Sequence, residues 1–295
     1  MTMERLRERL QSGRTILADG AMGTMLMDRG LPAGKCPESV TLEDPAQIEA
    51  ITRLYIGAGA VMVQTNTFGA SPLKLASCGL EKKTEEINRQ AVEICRGVTR
   101  SHAYVAASCG PSGRLLKPHG DLNPKELARS YHRQIRCLVD AGCDAICVET
   151  MTDINEAIIA VRATRTISPD IPVIATMTFD PTPKGFFTVM GVSVERAAQE
   201  LLKAGADAVG ANCGQGSDTM IEIARVLKQV TDKPIAIRPN AGMPILEHGK
   251  TIYPETPEYF ADNCCELARL GVGIIGGCCG TTPAHIRAVA KALEV

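Results

Sequence analysis

One unit recurs along this chain: an amphipathic stretch, a turn of Gly and Ala, and then a short apolar run. The segments LVDAGCDAICVET (138–150) and LLKAGADAVGANC (201–213) are near copies, and LARLGVGIIGGCC (267–279) follows the same design. Gly after a helix favours a left-handed C-cap, and the apolar run that follows is typical of a buried strand. These runs are continuous rather than alternating, which indicates parallel strands covered on both faces.

Eight apolar runs are predicted as strands. They span 16–22, 60–68, 104–110, 145–151, 172–179, 208–213, 234–240 and 273–279. Eight β/α alternations in 295 residues, with no linker between them, favour a (β/α)8 TIM barrel that occupies 1–295 as a single domain. The alternative is a doubly wound open sheet. We expect an opening helix over 3–11 to cover the bottom of the barrel, and a last helix over 284–293.

Composition excludes several classes of protein. Lys and Arg number 32 against 33 Asp and Glu, so the basic surface of a nucleic-acid-binding protein is missing. No apolar run reaches the roughly 18 residues of a membrane span. The N-terminal sequence is charged and lacks the apolar region of a signal peptide. The twelve cysteines are therefore expected to be free thiols in the reducing cytoplasm.

Barrel enzymes carry their reactive groups at the carboxyl ends of the strands. The ends of the predicted strands carry polar or sulfur-containing side chains, among them Asp19, Thr65, Glu149, Cys213, Asn240, Cys278 and Cys279. Because the carboxyl ends of parallel strands share one rim, we expect these side chains to gather there.

Three of these residues are cysteines at the ends of the sixth and eighth strands. Neighbouring positions on the rim would bring Cys213 close to Cys278 and Cys279. Adjacent strand residues face opposite ways, so the vicinal pair can reach one ion only if the chain leaves the strand, which the glycines of GGCCG permit. Three thiolates with one open position are typical of catalytic zinc. The alternative is three buried core thiols.

Two acidic residues lie on the same predicted rim. Glu149 ends an otherwise apolar strand, where a carboxylate is costly unless it is paired or reaches solvent. Asp19 follows the first strand, where the alternative is a simple Asp-Gly turn. Acidic side chains suit an ammonium group, and backbone amides near Gly20 and Gly23 suit a carboxylate. Together they favour an amino-acid substrate.

Five segments carry a resemblance to a known family. In order, ILADGAMGTML, VQTNTFGAS, CVET, GANCG and GGCCGTTPAHI resemble the sequence blocks of the homocysteine S-methyltransferase family, from about residue 10 to the C-terminus. They look most like the homocysteine-binding module of the cobalamin-dependent methionine synthase branch. The resemblance implies a (β/α)8 barrel whose zinc ion is held by Cys213, Cys278 and Cys279.

The resemblance also implies roles for other residues on the rim. The substrate would be contacted by Asp19, Gly20, Met22, Gly23, Thr65 and Glu149. The two carboxylates would bind the amino group of the substrate, and the glycines and Met22 would lie near its carboxylate. Asn240 would occupy the fourth zinc position when homocysteine is absent. The betaine-using branch carries Tyr directly after the strand-four Glu, and Thr150 at this position argues against betaine as the donor.

The implied reaction is methyl transfer to the thiol of homocysteine, which gives methionine. Zinc would hold homocysteine as a thiolate, and methylcobalamin would donate the methyl group. Methionine synthases continue into folate and cobalamin modules, so the corrinoid would be carried by a further module or by a separate corrinoid protein. One alternative is the same zinc barrel with S-methylmethionine, S-adenosylmethionine or a substrate-specific corrinoid system as donor. The other is a non-enzymatic scaffold with redox-sensitive vicinal thiols.

Overall fold

The computed structural model describes residues 3–32, 34–247 and 250–294. At its centre is a sheet of eight parallel strands: β1 Ile16–Leu17, β2 Met62–Gln64, β3 Tyr104–Cys109, β4 Ala145–Met151, β5 Val173–Met177, β6 Ala208–Asn212, β7 Ile235–Arg238 and β8 Ile274–Ile275. Each strand lies within one of the predicted apolar runs, so all eight predicted strands are confirmed. The runs overestimate the strand lengths, most of all for β1 and β8.

The sheet closes on itself. Hydrogen-bonded neighbours follow the order β1-β8-β7-β6-β5-β4-β3-β2. The two ends of this order meet through a parallel bridge between Ala18 and Met62. Val61 N donates to Leu17 O at 2.9 Å on one side of the bridge, and Asp19 N donates to Met62 O at 2.9 Å on the other. The single-domain (β/α)8 barrel is therefore confirmed, and the open-sheet alternative is wrong.

Helices surround the barrel. They are α1 Leu6–Gln11, α2 Met22–Asp28, α3 Val40–Glu43, α4 Pro45–Gly57, α5 Pro72–Ala76, α6 Thr84–Thr99, α7 Pro124–Asp140, α8 Ile154–Ile167, α9 Val194–Ala204, α10 Ser217–Val230, α11 Pro257–Arg269 and α12 Pro283–Leu293. The glycines of the recurring turn have left-handed φ values, as predicted: 88° at Gly142, 112° at Gly205 and 77° at Gly271. Gly59, in the turn between α4 and β2, has a φ of 106°. Within the described ranges, no helix has both the length and the apolar character that a membrane crossing requires.

Two apolar layers stabilise the barrel. The inner layer combines mostly small strand residues with two leucines of α1, and includes Leu6, Leu10, Ile16, Ala106, Ala145, Ala208 and Ala236. The hydroxyl of Tyr104 donates to Glu4 O at 2.8 Å and ties the opening segment to β3. The predicted cover at the bottom of the barrel is thus confirmed. The outer layer packs helices against strands, and every residue of β3 and β5 is buried because both faces are covered.

Two antiparallel hairpins have no counterpart among the predicted elements. Asp180–Thr182 pairs with Gly185–Phe187 after β5, and Ile245–Glu247 pairs with Lys250–Ile252 after β7. These strands are only three residues long and carry no periodic apolar pattern, so a search for periodicity does not find them. Met22, at the end of the first predicted run, begins α2 instead.

Candidate functional site

The structure brings Cys213, Cys278 and Cys279 together beyond the carboxyl ends of β6 and β8. The three sulfur atoms lie within 4.8 Å of one another, and those of Cys213 and Cys279 are 3.8 Å apart. Among the residues that the structure describes, no other group of three His, Cys, Asp or Glu side chains brings its ligand atoms this close. All three cysteines are partly exposed, which distinguishes them from the buried core thiols.

The chain leaves both strands before it reaches the sulfurs. Cys213 follows β6 with a left-handed φ of 60°, and β8 ends at Ile275, before the vicinal pair. The last residue of β7 and the residue after it hold the two cysteine turns. Arg238 O accepts from Cys213 N at 3.1 Å, and Pro239 O accepts from Cys278 N at 2.7 Å. Because the chain has left the strand, the adjacent residues Cys278 and Cys279 can both face the sulfur of Cys213.

Close packing explains the glycines beside the vicinal pair. A Cβ at Gly277 would overlap the side chain of Thr281, whose hydroxyl donates to Cys278 O at 2.7 Å. A Cβ at Gly280, where φ is 79°, would overlap the ring of Tyr253. Burial, together with the nearby thiol of Cys279, raises the pKa of this tyrosine. Sequence reasoning missed Tyr253, because it follows an unpredicted hairpin.

Crowding of the sulfurs works against their ionisation. Hydrogen bonding with Cys278, followed by burial, raises the pKa of Cys213 to about 12. Hydrogen bonding with Cys213, again followed by burial, raises the pKa of Cys279 to about 11. Thiolates at these distances repel one another, and a bound divalent cation would favour their ionised form. Zn²⁺ accepts thiolate ligands in a four-coordinate shell, so this donor set fits zinc.

A further ligand atom is available on the segment after β7. Asn240 is 3% exposed, and its Oδ1 has no hydrogen-bond partner in the described part of the chain. Its neighbour Ala241 donates its backbone N–H to Cys279 O at 3.0 Å, so this segment runs beside the thiols. Buried amide oxygens are normally paired. An unpaired one here fits a metal shell with an oxygen in its fourth position.

Asn212, the last residue of β6, connects the thiols to the neighbouring strands. Its Oδ1 accepts from Thr150 N at 2.8 Å and from the hydroxyl of Thr176 at 2.6 Å. Its Nδ2 donates to the hydroxyl of Thr150 at 2.7 Å and lies 3.9 Å from the sulfur of Cys278. Thr150 depends on this support, since its φ of 58° is rare for a β-branched residue. Sequence reasoning missed Asn212, whose only signal is a polar residue that closes an apolar strand.

The two predicted carboxylates meet across a buried arginine. Arg238 Nη2 donates to Asp19 Oδ1 at 2.8 Å, and Arg238 Nη1 donates to Glu149 Oε2 at 3.3 Å. Gln64 donates its backbone N–H to Asp19 at 2.7 Å and its side-chain amide to Glu149 at 2.6 Å. The hydroxyl of Ser108 donates to the other oxygen of Glu149. Sequence reasoning missed Arg238, although a cation in the apolar segment PIAIRPN signals it.

Burial controls the ionisation of this ion-pair cluster, which we define as Asp19, Glu149 and Arg238. Desolvation raises the pKa of Asp19 to about 6, because it outweighs the attraction of Arg238. Above this pH, two carboxylates and one guanidinium carry one net negative charge. A site with this charge suits a ligand that presents a single cationic group.

The hydroxyl of Thr65 has one open position. It accepts from Ser108 N at 3.2 Å and lies 2.6 Å from the hydroxyl of Thr67. Since Thr67 donates to Ser108 O at 2.7 Å, the Thr65 hydroxyl must donate to Thr67. One lone pair remains, and it can only accept a hydrogen bond.

The remaining predicted residues lie between β1 and the first turn of α2. A Cβ at Gly20 would lie 2.7 Å from the hydroxyl of Thr281 and 2.9 Å from that of Tyr55, so glycine is needed for close packing. Met22 and Gly23 begin α2, where the leading backbone N–H groups have no acceptor within the helix.

Comparison with known proteins identifies the family. The family profile described as homocysteine S-methyltransferase matches residues 16–293. The chain belongs to this family. This homocysteine S-methyltransferase family member is 33% identical to methionine synthase of Mycobacterium leprae over 95% of the chain and 24% of that protein. It is also 33% identical to methionine synthase of Mycobacterium tuberculosis, over 96% of the chain and 25% of that protein. The chain thus spans about a quarter of the length of these curated relatives.

Solved structures agree on the fold. The metallated form of the homocysteine methyltransferase MmuM from Escherichia coli superposes with a TM-score of 0.80 at 24% identity, covering 97% of this chain and 99% of that one. Its apo form gives a TM-score of 0.73 at 22% identity, covering 94% and 95%. The family resemblance predicted from the motifs is confirmed. Because the family consists of enzymes that methylate the thiol of homocysteine, the scaffold alternative loses its support.

Proposed function

We propose that this chain transfers a methyl group from methylcobalamin to homocysteine, with zinc held by Cys213, Cys278 and Cys279. In this proposal, residues 1–295 form one homocysteine-binding domain. The observation that carries it is the partly exposed sulfur triad, whose atoms lie within 4.8 Å of one another in a member of this family.

The metal end of the site would activate the substrate sulfur. A free thiol has a pKa of about 8.5 and is mostly protonated at neutral pH. Bound zinc supplies the positive charge that lets a substrate thiol ionise at neutral pH. The triad would hold this metal, and the unpaired oxygen of Asn240 would fill its fourth position until homocysteine arrives.

The amino-acid end would bind and orient the substrate. Asp19 and Glu149 would accept hydrogen bonds from the ammonium group, whose charge balances the net charge of the ion-pair cluster. The remaining lone pair of Thr65 can accept from the same group. The substrate carboxylate would lie near the backbone of Gly20, Met22 and Gly23. Fixing both ends of the substrate aims its sulfur at an incoming methyl group.

The identity of the donor rests on the branch motifs and on the relatives. The chain matches about a quarter of each methionine synthase, so a corrinoid would be held by another module or by a separate protein. S-methylmethionine, S-adenosylmethionine and a substrate-specific corrinoid system remain the alternatives. We place the reaction in the cytoplasm, a prediction supported by twelve free cysteines.

The proposal is tested by incubating zinc-loaded protein with L-homocysteine and methylcobalamin and following the cobalamin absorbance and the formation of methionine. We expect turnover that disappears in zinc-stripped protein and in Cys279→Ala, but persists in Cys265→Ala, which alters a vicinal cysteine outside the triad. Parallel reactions with S-methylmethionine and S-adenosylmethionine test the other donors. Turnover with one of these alone would overturn the donor, and full activity of Cys279→Ala would overturn the ligand set.

A further inference from the structure

Arg238 connects the two ends of the proposed site. Its backbone oxygen accepts from Cys213 N at 3.1 Å, and its side chain reaches both carboxylates of the ion-pair cluster. The residue is 7% exposed. In the described residues, no other cation forms an ion pair with Asp19 or Glu149. The charge at this end of the site therefore depends on one guanidinium.

The charge of the ion-pair cluster acts on both the ammonium and the carboxylate of a bound amino acid. The ammonium and the carboxylate of homocysteine are bonded to the same carbon atom. If Asp19 and Glu149 receive the ammonium, the substrate carboxylate must lie within a few ångströms of two buried carboxylates. Without a cation between them, these carboxylates would attract the ammonium and repel the carboxylate of the same molecule.

We propose that Arg238 is a specificity-determining residue, which selects thiols that are α-amino acids over simple aminothiols by limiting the cluster to one net negative charge. The inference rests on the proposed function and deepens it. A neutral side chain at position 238 would leave a charge of −2 when both carboxylates are ionised. The decarboxylated analogue of homocysteine, 3-aminopropane-1-thiol, would gain the added attraction in full, whereas homocysteine would lose part of it through its own carboxylate.

The test is a charge series measured at pH 8, where Asp19 of the wild type is ionised. Asp19→Asn gives the cluster a net charge of zero. The wild type, Arg238→Lys and the double variant Asp19→Asn/Arg238→Gln have −1. Arg238→Gln has −2 when its Asp19 is ionised, and the loss of the guanidinium raises the pKa of that carboxyl. Titrations of this variant in two buffers of different ionisation enthalpy show whether ligand binding releases the proton of Asp19. Isothermal titration calorimetry of each zinc-loaded protein gives the Kd of L-homocysteine and of 3-aminopropane-1-thiol, and metal analysis checks that the triad still binds zinc.

We expect the preference for homocysteine over the aminothiol to decrease as the net charge of the ion-pair cluster becomes more negative. It should fall about tenfold in Arg238→Gln, rise in Asp19→Asn, and return toward the wild-type value in the double variant. A purely structural role would weaken both ligands by the same factor and would not be repaired by the second substitution. If Arg238→Gln does not fold, the three proteins of charge −1 must still share one preference, and Asp19→Asn must exceed it.

Two results would overturn the inference. If zinc-loaded wild-type protein binds no homocysteine, the proposed function fails and the role of Arg238 fails with it. If the wild type binds homocysteine but the preference does not change with the charge of the cluster, only the role of Arg238 is wrong.

Discussion

Asp19 shows how a single buried carboxylate couples the stability of this protein to pH. Desolvation raises its pKa from 3.8 to about 6. The native state therefore binds the proton of Asp19 more tightly than the unfolded chain does. The stabilisation that protonation of Asp19 provides is complete below pH 4 and is lost as the pH rises through 6. A difference of about two pKa units corresponds to roughly 3 kcal/mol of unfolding free energy.

Asp19→Asn should remove this dependence. Between pH 4 and pH 7.5, we expect the wild type to lose roughly 2.5 kcal/mol of unfolding free energy relative to Asp19→Asn, as measured by urea unfolding at each pH. Both proteins carry the same cysteine triad, so effects of metal release cancel in the difference. A difference that stays constant with pH would show that the carboxylate keeps an ordinary pKa in the folded protein.

At the scale of residues, sequence motifs predicted that the three cysteines gather at the rim, but not the contacts that hold the rim together. The three cysteines stand out because GGCCG and NCG follow apolar runs. Arg238 and Asn212 were missed, because their importance depends on contacts between strands that are distant in the sequence. Arg238 reaches back 219 residues to Asp19, and Asn212 reaches 62 residues to Thr150. No local pattern specifies such pairings.

At the scale of elements, α10 begins without a capping side chain of its own. Its N-cap is Gly216, three residues after Cys213. Glu255, from the segment before α11, supplies the acceptors instead. Its Oε1 accepts from Ser217 N at 2.9 Å, and its Oε2 accepts from the hydroxyl of Ser217 at 2.6 Å. A distant carboxylate therefore fixes the start of α10 and, through it, the first cysteine turn.

Glu255→Ala should lower the unfolding free energy by about 1–2 kcal/mol, as the loss of a helix cap does, and should also weaken zinc binding. Chemical unfolding and competition with a chromogenic chelator measure the two effects. Glu258→Ala, which removes an exposed carboxylate from the first turn of α11, is the matched control and should change neither quantity appreciably. Normal zinc affinity in a destabilised Glu255→Ala would limit the role of this cap to stability.

The strands themselves were predictable because each one coincides with a continuous apolar run. Every strand of the barrel falls in an apolar run, because strands buried on both faces need apolar side chains throughout. The ends of the strands were not predictable. Strand β8 stops at Ile275, whereas the apolar run continues to 279, because the chain turns there to present the vicinal cysteines. Strand β8 is therefore shorter than its apolar run because the turn of the vicinal cysteines begins there.

At the scale of the whole molecule, the twelve cysteines divide into four environments. Cys78 alone is exposed, and the triad is partly exposed. Cys36, Cys137 and Cys265 are also partly exposed. The buried cysteines are Cys95, Cys109, Cys143, Cys147 and Cys264. Burial raises the pKa of the thiols of Cys36 and Cys137, which slows their reaction because the thiolate is the reactive form. Thiol reactivity can therefore report the metal site without any substrate.

In zinc-loaded protein, N-ethylmaleimide followed by mass spectrometry should modify Cys78 rapidly and the other cysteines slowly. Metal chelation should increase the labelling rate of the three triad cysteines above their rate in zinc-loaded protein, because a sulfur bound to metal is shielded from the reagent and becomes available once the ion is removed. Their raised pKa values should keep this rate below that of Cys78. The buried cysteines should react only after unfolding. Peptide mapping identifies each modified residue, and Cys278→Ala is the control in which chelation should release no protected thiols. If chelation left the labelling of the wild type unchanged, or exposed Cys137 and Cys265 instead, the ligand set would be wrong.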